Sequence, residues 1–222
     1  TGPYDGAPLT VRMLLSHTGG LNLHGFADFM PGEALPTRAQ TLNGQAPADH
    51  DPLRVEALPG SSYRYSGGGY TLLEGLIAQA TGLSFEETAE AALFERLGMT
   101  RSSFANPLPE GAPTALPRGY EAFPEMAASG LWTSAHDLGR MTAEMIQAYH
   151  GDSAYLHPVL GQEMMTGVSP SDHGLGPRLE GRGESFIFHH GGSNNSYRAW
   201  MEGHLATGNG LVILTNGANG AD

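Results

Sequence analysis

Apolar residues recur at helical spacing in four separate stretches of the first four-fifths of the chain and alternate with polar ones near its end. Thr10 is placed to cap a short helix carrying Val11, Leu14 and Leu15, with Gly19-Gly20 predicted to stop it. Leu72, Leu73, Leu76, Ile77 and Ala80 share one face of a second helix, ended by Gly82. Ser84 and Glu87 form a capping box for a third, which bears Phe85, Ala89, Leu93, Phe94 and Leu97 and stops at Gly98. Ser134 and Asp137 are spaced as another capping box, opening a helix with Leu138, Met141, Met145, Ile146 and Tyr149 on its apolar stripe and Gly151 at its end. Residues 22–59 lose the periodicity to Gly, Pro, Asn and Asp and are predicted to be a long irregular loop, of a length that is usually functional or disordered, and a second, Pro-rich connection is predicted over 104–124.

After about residue 183 the period becomes two. Strands are predicted over 186–189, 196–202 and 210–215, joined by turn-rich stretches at 191–195 and 203–209, as an antiparallel meander. Three strands with one apolar face must pack on something else. The predicted class is therefore α/β of the α+β kind. Residues 1–182 form a mostly helical and loop region, residues 183–222 contribute strands, and together they make one domain.

Composition narrows the chemistry. All eleven basic residues are Arg, so there is no Lys, and there is no Cys. Thiol nucleophiles, Schiff bases, Lys-dependent phosphate loops, Cys-ligated zinc and disulfide frameworks are excluded for these residues. The net charge of −12, with its acids scattered, repels polyanions, so nucleic acid is not an expected partner. An apolar run such as Leu211 to Leu214, which no other run exceeds in length, is far too short to span a membrane. Ten histidines invite a metal reading, yet they lack His-Glu-x-x-His or comparable ligand spacing, and neither metal nor cofactor is expected. A Gly-x-Ser-x-Gly nucleophile elbow is also missing.

Two stretches could carry chemistry. In Pro59-Gly-Ser-Ser-Tyr-Arg-Tyr-Ser-Gly-Gly-Gly-Tyr70, three glycines permit close backbone approach and would hold Tyr65 and Ser66 on a turn before a helix; the plain alternative is a Gly-rich helix entry with Tyr65 in the core. In Phe188-His-His-Gly-Gly-Ser-Asn194, a strand end passing into glycines exposes amides that can stabilise an oxyanion, beside histidines that titrate near neutrality. The plain alternative there is a pair of solvated histidines.

Taken in order, Leu14-Leu-Ser-His-Thr-Gly-Gly-Leu21, Tyr65-Ser-Gly-Gly-Gly-Tyr-Thr-Leu-Leu73, Leu97-Gly-Met99, Ser129-Gly-Leu-Trp132, His189-His-Gly-Gly-Ser-Asn194 and Leu214-Thr-Asn216 resemble the serine β-lactamase and penicillin-binding-protein superfamily. The likeness is to its class C branch, which includes D,D-carboxypeptidases, D-amino-acid peptidases and carboxylesterases, and it runs over nearly the whole chain. It implies a serine hydrolase that works through an acyl-enzyme on an ester, amide or peptide. Three catalytic elements are implied: a Ser-x-x-Lys helix start, a Tyr-x-Asn loop and a Lys/His-x-Gly strand. The second corresponds to Tyr65-Ser66-Gly67 and the third to His190-Gly191-Gly192. Tyr65 is then expected to relay protons, His190 to orient substrate and support the proton network, and the Ser193 amide to serve as an oxyanion donor. Ser66, Gly67, Gly191 and Gly192 are expected to line the substrate.

Two departures from the family pattern matter. Gly67 replaces the customary Asn, and a Ser-x-x-Lys cannot exist without lysine. The nucleophile segment is therefore expected upstream of Thr1 and a terminal helix beyond Asp222, so that the fold is incomplete at both ends and the chain alone is inactive. The missing segments of the same protein would then be its partners, together with a small ester, amide or peptide. The resemblance slightly favours an exported or periplasmic protein. The alternative is a non-catalytic relative that binds peptidoglycan-like or acyl ligands.

Overall fold

The computed structural model of the chain describes residues 4, 6–30, 32–105, 108 and 122–220. In chain order its helices are α1 (Val11–Leu15), α2 (Arg38–Asn43), α3 (Gly67–Thr81), α4 (Phe85–Ala89), a π-helical turn (Glu90–Phe94), α5 (Glu95–Leu97), α6 (Met126–Ser129), α7 (Ala135–His150) and α8 (Pro158–Met164). The strands are β1 (Arg178–Glu180), β2 (Ile187–Ser193), β3 (Arg198–His204) and β4 (Gly210–Thr215). The chain divides into two compact units, residues 1–90 with 103–131 and residues 91–102 with 132–222. The change of period at residue 183 lies inside the second unit.

In the first unit, Leu14 of α1, Leu21 and Leu73 of α3 form a buried cluster covered by Leu9, Leu15, Leu53, Val55, Tyr70 and Leu72. Thr10 caps α1 by accepting from the Met13 amide at 3.2 Å. The helix ends at Leu15, short of the glycines expected to stop it, because His17 turns into the left-handed region at φ +57°. The stretch predicted to be irregular, 22–59, contains α2, opened by a Thr37/Gln40 capping box. Its remainder is fastened to the segment before it. Leu21 bridges Val55, the Asn22 amide donates to Arg54 O, and the Asn22 side chain accepts from the Arg54 amide at 2.8 Å and donates to Pro52 O at 3.0 Å. The Ser84/Glu87 capping box forms as predicted at the start of α4. Most of the expected loop over 104–124 lies outside the described residues.

In the second unit, the described strands make one antiparallel sheet in the order β1-β2-β3-β4. Met145 and Ile146 of α7, Met165, Phe188 of β2 and Leu205 form its core, with Met141, Tyr149, Met164, Leu179, Phe186 and Met201 packed around them. Gly203 stands opposite Phe188 in the β2–β3 register, and a Cβ there would fall 2.3 Å from the Phe188 ring, so glycine makes the room that the ring fills. Ser134 caps α7, accepting from the Asp137 amide at 3.2 Å. The expected reciprocal half of that box is absent, because the Asp137 carboxylate accepts instead from the Arg101 amide at 2.7 Å and the Ser102 hydroxyl at 3.0 Å. Helix α8 and strand β1 were not predicted. Strand β2 runs to Ser193, so the glycines read as a turn belong to the ladder, while the third strand occupies the residues predicted for it.

Candidate active site

In the first unit, segment 17–24 runs beside residues 60–68 and holds them by backbone hydrogen bonds. The Gly60 amide donates to Thr18 O at 2.7 Å, Arg64 to His17 O at 2.8 Å, Gly67 to His24 O at 2.9 Å and Gly68 to Leu23 O at 3.2 Å. The three glycines form the first turn of α3 rather than a loop before it, and Ser66 is its N-cap. Ser66 is buried with its amide and hydroxyl both engaged: the amide donates to His17 Nδ1 at 3.1 Å, and the hydroxyl donates to Leu23 O at 2.7 Å and accepts from the Gly69 amide at 3.1 Å. Tyr65, one residue ahead of the cap, is half-buried. Its ring stacks on that of His17 with centroids 4.1 Å apart and lies 5.0 Å from that of His24. Burial, with the Tyr63 phenol as a second cause, holds the Tyr65 phenol above its ordinary pKa.

A side chain at Gly67 has no room. Its Cβ would lie 2.9 Å from Phe26 Cε2 and 3.0 Å from His24 O, so the customary Asn and the present seat of Phe26 exclude one another. The loss of the side-chain amide is thus coupled to the way the 22–59 segment packs on the start of α3.

In the second unit, β2 carries the other motif. His189 and His190 point to opposite faces, as neighbours in a strand must. On one face, His189 stacks on Trp200 at 4.8 Å and its Nε2 lies 3.5 Å from Glu180 Oε2. On the other, the ring of His190 is 6.5 Å from that of His173, which is buried and has Nδ1 3.1 Å from Gly176 O. Burial, followed by the neighbouring His173, pushes the His190 pKa below its ordinary value, and burial lowers that of His173 as well. Gly191, Gly192 and Ser193 are exposed and register with Trp200, Ala199 and Arg198. The Arg198 guanidinium donates to Tyr197 O at 2.8 Å and to Asn194 O, so a permanent cation borders the Ser193 end of the motif. Among the described residues, no group of three or more His, Asp or Glu is arranged to hold a metal ion, and no helix is long and apolar enough to cross a membrane.

Tyr65, Ser66 and Gly67 thus belong to the first unit, and His190, Gly191, Gly192 and Ser193 to the second. A model of the family described as Beta-lactamase matches residues 2–222. The chain belongs to the beta-lactamase family. Its helices and antiparallel sheet are those of the β-lactamase and penicillin-binding-protein superfamily, as solved structures also show. The octameric penicillin-binding protein homologue from Pyrococcus abyssi is similar at 26% identity and a TM-score of 0.76, over 97% of this chain and 53% of that one. The D-amino acid amidase from Ochrobactrum anthropi, complexed with D-phenylalanine, is similar in fold at 19% identity and a TM-score of 0.71, over 94% and 65%. The penicillin-binding protein from Bacillus halodurans gives 19% and 0.71, over 94% and 68%. This beta-lactamase-family chain therefore spans about half the length of the first of these proteins. No curated protein sequence matches it.

Three residues at these sites were not singled out as site residues from the sequence. His17 was legible only as part of Leu-Leu-Ser-His-Thr-Gly-Gly, with no hint that its ring meets Tyr65. His173 stands far from His190 along the chain, and Arg198 reaches Ser193 only through the β2–β3 register.

Proposed function

We propose that the full-length protein is a serine hydrolase that acts through an acyl-enzyme on esters or amides, its nucleophilic Ser and accompanying Lys lying outside these 222 residues. The observation that carries the reading is the placement of Tyr65: a half-buried phenol, which the sequence resemblance aligns with the family's tyrosine, locked between a helix cap and a stacked imidazole. The serine oxygen attacks the acyl carbon, the bond to the leaving group breaks, and the serine proton leaves with that group. Water then cleaves the serine ester. Tyr65 moves the proton in both halves: its phenol, which burial favours in the neutral form, passes on its own proton as it takes up that of the serine or the water. The Ser193 amide serves the oxyanion, and His190 orients the substrate as a neutral imidazole. Ser66 and Gly67, buried and engaged with their own neighbours, hold Tyr65 in place rather than present groups to the substrate, whereas the exposed Gly191 and Gly192 can line it.

The substrate class follows from the same residues. The customary Asn amide is excluded at Gly67, and an imidazole of lowered pKa replaces a permanent cation at the strand motif. Both changes weaken recognition of a carboxylate. The reading favours neutral acyl esters and uncharged amides over penicillins and peptides with a free C-terminus; the solved amidases of this fold, one of them bound to L-phenylalanine amide, support the amide branch. The test is to compare kcat/KM of the full-length protein for a short-chain p-nitrophenyl ester, an amino-acid amide and benzylpenicillin. The ester or the amide should lead. Benzylpenicillin ahead of both would contradict the reading and direct attention to Arg198 as the carboxylate's partner.

A further inference from the structure

His17 carries an unusual conformational cost. Among the described residues it is the non-glycine residue with positive φ, at +57°, and it is 2% exposed. A side chain in the left-handed region costs on the order of 1–2 kcal/mol, and burying an imidazole adds to that. Two glycines stand just after it, so a turn here does not by itself require histidine. Such an outlier points to what the side chain holds.

What it holds is Tyr65, from three directions. The His17 carbonyl accepts from the Arg64 amide at 2.8 Å, and its Nδ1 accepts from the Ser66 amide at 3.1 Å, so the backbone is pinned on both sides of Tyr65. Its ring stacks on the phenol at 4.1 Å with a 28° tilt. Acceptance at Nδ1 places the ring proton on Nε2, a neutral tautomer. The histidine is itself steadied. The Tyr70 ring lies 5.3 Å from that of His17 and its hydroxyl donates to Leu15 O at 3.0 Å, and the Ser16 and Thr18 hydroxyls bond to each other at 3.0 Å. We propose that His17 is the positioning residue of Tyr65, fixing through one residue both the backbone that carries the phenol and the plane in which its ring lies. The assignment rests on the hydrolase reading for its consequence in catalysis, and on geometry alone for its consequence in Tyr65 itself.

The experiment uses the full-length protein with His17→Ala and His17→Asn. Asparagine tolerates the left-handed region and offers Oδ1 to the Ser66 amide, but has no ring to stack. Turnover of a p-nitrophenyl ester is measured together with the alkaline absorbance titration of Tyr65, isolated by subtracting the matching Tyr65→Phe protein. His17→Ala should lower kcat about 10–100-fold with KM within about twofold, as expected when a reacting group is misplaced while substrate binding stays intact. Its Tyr65 should titrate closer to free tyrosine, since a released phenol becomes more solvated. His17→Asn should recover most of kcat while Tyr65 still titrates lower than in the wild type. If His17→Ala fails to fold, the asparagine protein still decides the matter through its titration. An unchanged Tyr65 titration in the folded variants, or a raised KM with unchanged kcat, would overturn the proposal. A wild-type protein without ester or amide turnover would instead sink the hydrolase reading, and the titration would still judge the role of His17.

Discussion

In the proposed scheme the chemistry turns on Tyr65. Tyr65→Phe in the full-length protein should cut kcat by roughly 10²–10⁴-fold, the usual worth of general acid–base catalysis, with little change in substrate binding. Tyr63→Phe serves as the control, since it removes an exposed phenol to which the scheme gives no chemical role. Near-full activity in Tyr65→Phe would return the residue to the packed core. The same unit contains two buried carboxyls that take no part in this scheme. Glu74 receives the Ala127 amide at 3.3 Å and lies 3.6 Å from the Arg38 guanidinium, while Glu125 receives the Thr41 hydroxyl at 2.9 Å and its Oε2 has no hydrogen-bond partner among the described residues. Burial is the main cause that raises both pKa values, outweighing these contacts, and the Glu74 carboxyl reinforces the rise at Glu125. A raised carboxyl pKa means the folded state binds protons more tightly, so this contribution is full below the unfolded value and is lost as pH rises through the folded one. Glu125→Gln, which keeps an acceptor for Thr41, should therefore raise the melting midpoint at pH 8 by about 2–4 °C for each kcal/mol relieved, with little effect at pH 4. A midpoint that moves equally at both values would contradict the assignment.

Helix ends were legible where one side chain does the capping. Thr10, Ser84 and Ser134 all cap as their spacing predicts, and Gly82, Gly98 and Gly151 end helices in the left-handed region. The errors arise where a distant contact competes with the local rule. The Asp137 carboxylate satisfies Arg101 and Ser102 rather than closing its box, and α1 ends early where His17 enters the left-handed region with its carbonyl engaged by the Arg64 amide and its ring by the Ser66 amide. The Thr37/Gln40 box was there to be found, but the surrounding Gly, Pro and Asp concealed a helix of only six residues. The strand glycines 191 and 192 looked like a turn because nothing local reveals that Trp200 and Ala199 will pair with them. The start of α3 offers a test of close packing. Gly67→Ala should destabilise the protein by about 1–3 kcal/mol, the usual cost of overpacking, because Phe26 or the His24 carbonyl must move. Chemical denaturation measures it; an unchanged midpoint would show that Phe26 yields freely and that packing does not exclude asparagine there.

At the scale of the molecule, order along the chain was more informative than any single motif. The family and the helix-plus-sheet class were readable because weak signals such as His-Thr-Gly-Gly, Tyr-Ser-Gly and His-His-Gly-Gly follow one another in the family's sequence. Physical roles within each motif were not, since exposure and partners separate Ser66, a buried cap, from Gly191 and Gly192, which are open to solvent. The central claim is that acyl transfer belongs to a serine beyond these residues, assisted by Tyr65. The most direct test treats the full-length protein with a fluorescent phosphonate and maps the adduct by mass spectrometry. The account predicts one adduct per molecule, on the serine of a Ser-x-x-Lys segment preceding Thr1, formed more slowly in Tyr65→Phe. An adduct on Ser66 or Ser193, or a full-length protein that takes none, would contradict it.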